Sequence, residues 1–480
     1  MLFNSLHFLV FLPVVFLLYW LLAKKLLKYQ HMLLLVAGYY FYGCWDTRFL
    51  LLLFFSTALD YFAGKKLAAA PTKKIKRIWL WISIGINLGF LGFFKYYNFF
   101  IESFASLLAQ WGLHSDPWLL NIILPVGISF YTFHGLSYVL DIYYDRIKPT
   151  TNFLQYAVFI SFFPLLVAGP IERANHLLPQ LFTTKKFNYA QVTDGLRQML
   201  WGFFKKIVLA DSCAMYVNMA FNDTAALNGS ALALGVFFFA MQIYGDFSGY
   251  SDIAIGTARL FGFEVKKNFA YPYFSRDIAE FWRRWHISLS TWFRDYLYIP
   301  LGGSRAGRWV SIRNIFIIFL LSGLWHGANL TFIIWGGLHA LYFLPLFLFN
   351  ANRQHMQIVA EGKTLPGIRD TVKILLTFLL VCFAWIFFRA NSLEHAGIFI
   401  QQLFSASLFE MPQKTMLPLT VFAAIAFFLF VEWQGRHQLY ATEKMFLQSP
   451  IYIRWAWYYA LLSAIIYFSG QGQTFIYFQF

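Results

Sequence analysis

Charge is scarce in this 480-residue sequence: Asp, Glu, Lys and Arg make up 12% of it, against 59% hydrophobic residues. That balance excludes an ordinary soluble domain, which needs far more polar surface to cover a core of this size. Acids are the scarcer sign, with 22 Asp and Glu against 38 Lys and Arg, a net charge of +16. In a soluble protein this excess would point to nucleic acid. Here the basic residues gather in short loops between apolar runs, as the positive-inside rule expects, so the expected neighbour is a lipid bilayer and no nucleic acid. Only Cys44, Cys213 and Cys382 are present, far apart, which excludes a disulfide framework or a thiolate metal site. No two histidines stand at i, i+4, so a helical zinc site is not expected.

What the sequence has instead is apolar length. Fifteen apolar runs lie between residues 6–23 and 451–469, among them 78–94, 98–111, 118–140, 198–217, 230–245, 250–263, 312–334 and 335–349. They lack the alternation of barrel strands, so the expected fold is an all-α polytopic membrane protein. Several runs are too short for about 30 Å of hydrocarbon, which gives about 11 crossings with re-entrant or interfacial helices besides. The first run, Leu6 to Ala23, has no basic residue before it and no small-residue cleavage site after it, and reads as a retained helix. Basic clusters at Lys24, Lys25 and Lys28, at Lys65 to Arg77, and at Lys185 and Lys186 with Lys205 and Lys206 are expected in cytoplasmic loops. No repeat or linker divides the chain, so residues 1–480 read as one membrane domain.

Residues 264–311 are neither plainly transmembrane nor plainly soluble. Ile278, Phe281, Trp285, Leu289 and Trp292 form an apolar stripe at helical period with Arg283, Arg284 and Asp295 off it, which predicts one amphipathic interfacial helix ended by Pro300, Gly302 and Gly303.

Few ionisable residues stand in apolar surroundings. His326 lies within Ile315 to Phe349, a run with no Asp, Glu, Lys or Arg. Such a residue either faces a cavity as a reactive group or bonds across helices, and spacing leaves both readings open. Ser322 and Asn329 fall near its helical face and would fix its tautomer, while Gly323 and Gly327 would admit a neighbouring helix or a thin substrate. His339, beside Gly336 and Gly337, reads as a packing residue. His286 follows FWRRW and is open between an interfacial and a catalytic role; Arg283 and Arg284 would hold an anionic headgroup or a phosphate-bearing substrate. Asp246 and Asp252 in YGDFSGYSDIAIG are expected to pair with these arginines or histidines, or to cap a helix starting near Ser251. Glu172 and Arg173 form a charged elbow with a structural role.

Two strings, FWRRWHISLSTWFRDYLYIPLGGSR at 281–305 and SGLWHGANLTFIIWGGLHA at 322–340, resemble the membrane-bound O-acyltransferase (MBOAT) superfamily, in its branch of alginate and other polysaccharide O-acetyltransferases. LPVGISFYTF at 124–133, VAGPIER at 167–173, DFSGYSDIAIG at 246–256, WIFFRA at 385–390 and IYFQF at 476–480 are similar to the same branch, in order along the chain. The resemblance implies a helical core with a central tunnel, His326 at its narrow point and His286 as the second family histidine. His326 would take the acceptor's hydroxyl proton or carry the acyl group transiently, and His286 would position or polarise the thioester carbonyl. Arg283, Arg284, Ser322, Trp325, Asn329 and Asp246 are further candidates for contacts to substrate or donor. No bound cofactor or metal is expected; the donor would be acetyl-CoA or an acyl carrier thioester, and an SGNH-hydrolase-like partner outside a bacterial inner membrane would finish transfer to an alginate-like polysaccharide. Relatives acting on peptidoglycan or adding D-alanine, lipid acyltransferases, and, from a different class, transporters or channels are the alternatives.

Overall fold

The computed structural model describes residues 1–23, 26–113, 119–167, 169–473 and 475–476, and every regular element among them is a helix. The chain divides into two compact units, Met1–Thr193 with Thr257–Lys266, and Asp194–Gly256 with Lys267–Phe480.

The first unit holds α1 (Leu6–Leu22), α2 (Leu27–Gly43), α3 (Phe49–Ala68), α4 (Lys73–Gln110), α5 (Ile128–Tyr143), α6 (Phe153–Ser161), α7 (Ala174–Leu181) and the first turn of α8 (Tyr189–Phe203). A polar ladder ties α3 to α4: Ser83 Oγ and Asn87 Nδ2 donate to Asp60 Oδ1 at 2.7 and 2.8 Å, and Ser56 Oγ donates to Asn87 Oδ1 at 2.9 Å. A buried carboxylate is tolerable in an apolar bundle only with such donors. The elbow after Pro170 is structural, as expected. The Glu172 carboxylate accepts from the Lys266 amide at 2.6 Å and lies 2.8 Å from His176 Nδ1, while its own amide donates to His134 Nε2 at 3.0 Å.

The second unit continues α8 through a π-helical stretch, Phe204–Ala210, into α9 (Asp211–Asn222). It then contains most of α10 (Gly229–Leu260), the short α11 (Ile278–Arg284) and α12 (Ile287–Phe293), α13 (Arg308–His326), α14 (Leu330–Leu348), α15 (Ile368–Arg389), α16 (Leu393–Leu403), α17 (Leu419–Gln434) and α18 (Ile451–Phe468). Six helical stretches among the described residues are long and apolar enough to cross a membrane: α4, α10, α13, α14, α15 and Lys414–Gln434. The structure joins some of the fifteen apolar runs read as separate in the sequence. Runs 78–94 and 98–111 belong to α4, and runs 230–245 and 250–263 belong to the 32-residue α10. The acids Asp246 and Asp252 lower the hydropathy here but do not break the helix, because they find buried partners.

Those partners correct a second expectation. Lys205 and Lys206 do not lie in a cytoplasmic loop; both are buried on the π-helical stretch. Lys205 Nζ stands 2.5 Å from Asp252 Oδ2, and Lys206 Nζ stands 2.8 Å from Asp211 Oδ1 and 2.9 Å from Asp246 Oδ1. Asp246 and Asp252 therefore pair with lysines, not with arginines or histidines, and neither caps a helix. A third correction concerns residues 278–293, which form two short helices broken at Trp285 and His286, where His286 takes left-handed backbone angles of φ 42° and ψ 54°.

Helices α13 and α14 form an antiparallel hairpin closed by glycine. A Cβ on Gly323 would fall 2.2 Å from the Phe332 carbonyl oxygen, and one on Gly336 would fall 2.2 Å from that of Phe319. The backbones approach too closely for any side chain. Gly336→Leu is accordingly expected to destabilise the purified protein by roughly 3 kcal/mol, read as a lowered thermal unfolding midpoint in detergent; an unchanged midpoint would contradict the hairpin contact.

Candidate active site

The hairpin puts His326 at a helix end. It is the last residue of α13, and Gly327 turns the chain out with φ −164° and ψ 155°. Asn329 caps α14, its Oδ1 accepting from the Thr331 amide at 3.0 Å and its Nδ2 donating to the Asn391 carbonyl at 2.8 Å. The expectation that Asn329 shares His326's helical face fails because the helix stops between them. His326 is buried among aromatic rings: Trp325 at 4.9 Å, Trp335 at 5.1 Å and Phe388 at 5.1 Å between centroids. Ser322 lies buried one turn earlier in α13.

Trp325 also packs against His286, with centroids 5.8 Å apart. One indole therefore touches both histidines, which sequence separates by about forty residues. Residue Asn268 fixes the second of them. The Ser288 amide and Oγ donate to Asn268 Oδ1 at 3.2 and 2.8 Å, and Asn268 Nδ2 donates to Ser251 Oγ at 3.2 Å, which sets the orientation of the carboxamide. His286 Nδ1 lies 3.1 Å from the same Oδ1, so Nδ1 carries the proton. The lone pair is then on Nε2, which is buried with no hydrogen-bond partner among the described residues. Burial pushes the His286 imidazole down to about 3, so the ring is neutral at physiological pH. The left-handed backbone of His286 helps bring the Ile287 and Ser288 amides onto Asn268, through its carbonyl at 2.8 Å and its side chain.

On the other side of Asn268 is a cavity of about 20 Å³, room for one water, bordered by Lys205, Ser251, Asp252, Lys267 and Glu432. Tyr244 OH donates to Glu432 Oε2 at 2.6 Å and Gln198 Nε2 to Asp252 Oδ1 at 2.8 Å. Lys267 donates to the Gln438 carbonyl at 2.9 Å; burial lowers its ammonium to about 8, against the attraction of Asp252 and Glu432.

The remaining candidates have other partners. Arg283 donates to the carbonyls of Asn352 and His355 at 2.8 and 2.9 Å. Arg284 donates to Glu280 Oε1 at 2.8 Å and to the Ala270 carbonyl at 3.2 Å. Burial disfavours the charge of Glu280, but Arg276 and Arg284 outweigh it and hold the carboxyl below its usual range. His339 accepts from Trp282 Nε1 at 3.2 Å and is enclosed by Phe281, Trp282 and Trp335, the packing role expected of it. Asn268 and Phe247, whose ring meets His286 edge-on at 4.6 Å, were not legible as site residues. KKNFAYP marks Asn268 only as a polar residue in an irregular stretch.

A chain whose regular elements among the described residues are all helices, several of them long and apolar enough to cross a membrane, is a multi-pass membrane protein, and its buried histidine pair joined by a tryptophan is the candidate site. No group of three or more metal-ligating residues occurs among the described residues. The chain belongs to the membrane-bound O-acyltransferase family, whose model matches residues 143–388. It is 39% identical over 451 residues to the "Probable alginate O-acetylase AlgI" of Pseudomonas putida, covering 92% of this chain and 89% of that protein. It is 36% identical over 428 residues to the peptidoglycan O-acetyltransferase of Helicobacter pylori, covering 82% and 78%. Against the teichoic acid D-alanyltransferase of Bacillus subtilis the identity is 30% over 289 residues, covering 57% and 71%. The protein is thus an O-acyltransferase, not a transporter or channel.

Asn268→Ala removes the acceptor that fixes the His286 tautomer. It is expected to lower acyl-transfer turnover about 10- to 100-fold, with a stability loss of roughly 1–3 kcal/mol from the orphaned donors. Turnover equal to the parent protein's in single-turnover assays would refute that positioning role.

Proposed function

We propose that this protein is a bacterial inner-membrane O-acetyltransferase that passes acetyl groups from a cytoplasmic thioester, acetyl-CoA or an acyl carrier, toward an extracytoplasmic, alginate-like polysaccharide. An SGNH-hydrolase-like partner would complete the transfer. The observation that carries the reading is the histidine pair flanking Trp325, within a chain that aligns almost end to end with an alginate O-acetylase relative.

His326 takes the proton of the attacking hydroxyl, the oxygen bonds to the acetyl carbonyl carbon, and the C–S bond breaks as the proton passes to the departing thiolate. If the acetyl group first rests on His326, the same atoms balance in two steps. His286 serves better as an acceptor than as an electrophile: with Nδ1–H given to Asn268, only the Nε2 lone pair is left to bond, and polarising a carbonyl would need a protonation that burial opposes. It would hold an incoming hydroxyl or thiol by accepting its hydrogen.

His326→Asn keeps a polar side chain of similar size. It is expected to cut acetyl transfer from labelled acetyl-CoA about 10²- to 10⁴-fold while the protein stays monodisperse. Undiminished transfer would overturn the assignment. Peptidoglycan O-acetylation and D-alanylation stand behind this reading because those relatives are less similar and align over less of the chain. Competition among acetyl, D-alanyl and long-chain acyl thioesters separates these donors, the last of which would mark a lipid acyltransferase.

A further inference from the structure

The segment around Phe475 comes back into the site through a buried ionic cluster. Lys206 Nζ, held between Asp211 and Asp246, donates to the Gln473 carbonyl at 3.2 Å. Asp246 Oδ2 accepts from the Ile476 amide at 2.7 Å. Two backbone groups of this segment are thus tied to charged side chains that are themselves at most 3% exposed. Charge-assisted hydrogen bonds of this kind hold the backbone at Gln473 and Ile476. Between them Phe475 is fully buried; its ring lies 4.1 Å from Tyr250 and 6.3 Å from Phe247. Asp246, Phe247 and Tyr250 belong to one turn of α10, and the Phe247 ring also meets His286 at 4.6 Å and 90°. The contacts run without a gap from the ionic cluster through Phe475 and Phe247 to His286.

We propose that Gln473, Phe475 and Ile476 are a working part of the active site: with the backbone of Gln473 and Ile476 clamped by Lys206 and Asp246, Phe475 is held against Phe247, which keeps the His286 ring in register and shields it from water. Asp246 and Phe475 are then positioning residues, acting through Phe247, and Asp246 does not touch the donor. The catalytic side of this inference rests on the acyl-transfer reading above; its structural side does not.

The test uses the full chain in detergent with Phe475→Ala and Phe475→Leu, each examined by acetyl-CoA turnover and by diethyl pyrocarbonate modification of histidines followed by mass spectrometry. His339, as fully buried as His286 and packed on Phe281, Trp282 and Trp335, is the internal control. Phe475→Ala is expected to modify His286 at least about 10-fold faster with His339 unchanged, and to lower kcat about 100-fold with KM for acetyl-CoA within about 3-fold; Phe475→Leu is expected to show the same selective effect at about 3-fold in both. The inference is overturned if His286 stays protected in Phe475→Ala, or if kcat is unchanged although His286 has opened. If Phe475→Ala exposes both histidines, Phe475→Leu decides: faster modification of His286 alone supports the clamp, and protection of both or exposure of both overturns it. A chain that turns over no acetyl-CoA yet shows selective exposure of His286 would refute the proposed function while leaving the clamp standing.

Discussion

The pairing of Lys205 and Lys206 with the carboxylates of α10 is the interaction on which the second unit depends. Four charged groups, Lys205, Lys206, Asp246 and Asp252, stand in helices whose surroundings are apolar, and each would be costly alone. Paired, they let α10 run unbroken for 32 residues across a polar stretch and dock the π-helical part of the preceding helix against it. A π turn widens the helix locally and shifts the angular spacing of side chains, and such turns concentrate at functional sites. Here adjacent lysines serve separate acidic partners: Lys205 borders the small cavity beside Asn268, and Lys206 anchors the segment at Phe475.

From that lock the site is built outward by hydrogen bonds and rings. Ser251, one residue before Asp252, accepts from Asn268; Asn268 sets the proton on His286; Trp325 then joins His286 to His326. The neutral state of His286 is a consequence of burial and of a neutral acceptor at Nδ1. A carboxylate in the place of Asn268 would favour the imidazolium, and the ring would then lose the lone pair at Nε2. The strained backbone at His286 sits where two short helices meet around one carboxamide, a case of local strain held in place by its surroundings.

Much of the fold was legible because lipid narrows the choices. Continuous apolar runs admit only helices, and Gly323 and Gly336, noted beside the two histidines, do permit a close backbone approach; the runs 312–334 and 335–349 put the break at 334, whereas the chain turns between His326 and Leu330. Hydropathy misjudged continuity: it cut α10 at Asp246, because a window average cannot know that a lysine forty residues away will neutralise it. The same blindness put Lys205 and Lys206 in a loop. The amphipathic stripe at 278–292 was real in sequence, yet the helix it implied breaks at His286, because amides after the break are captured by Asn268, a contact with no local signature.

The sequence by itself determined that the chain is helical, lies in a membrane and carries His326 in an uncharged run, since composition and period follow from the residues alone. The ordered motifs further tied it to an acyltransferase family. Only the tertiary structure decided which nitrogen of His286 holds the proton, that Asn329 caps a helix, and that Phe475 packs on Phe247 and Tyr250. Each of those rests on a contact between residues distant in the chain, and such contacts are fixed by packing, which periodicity does not encode.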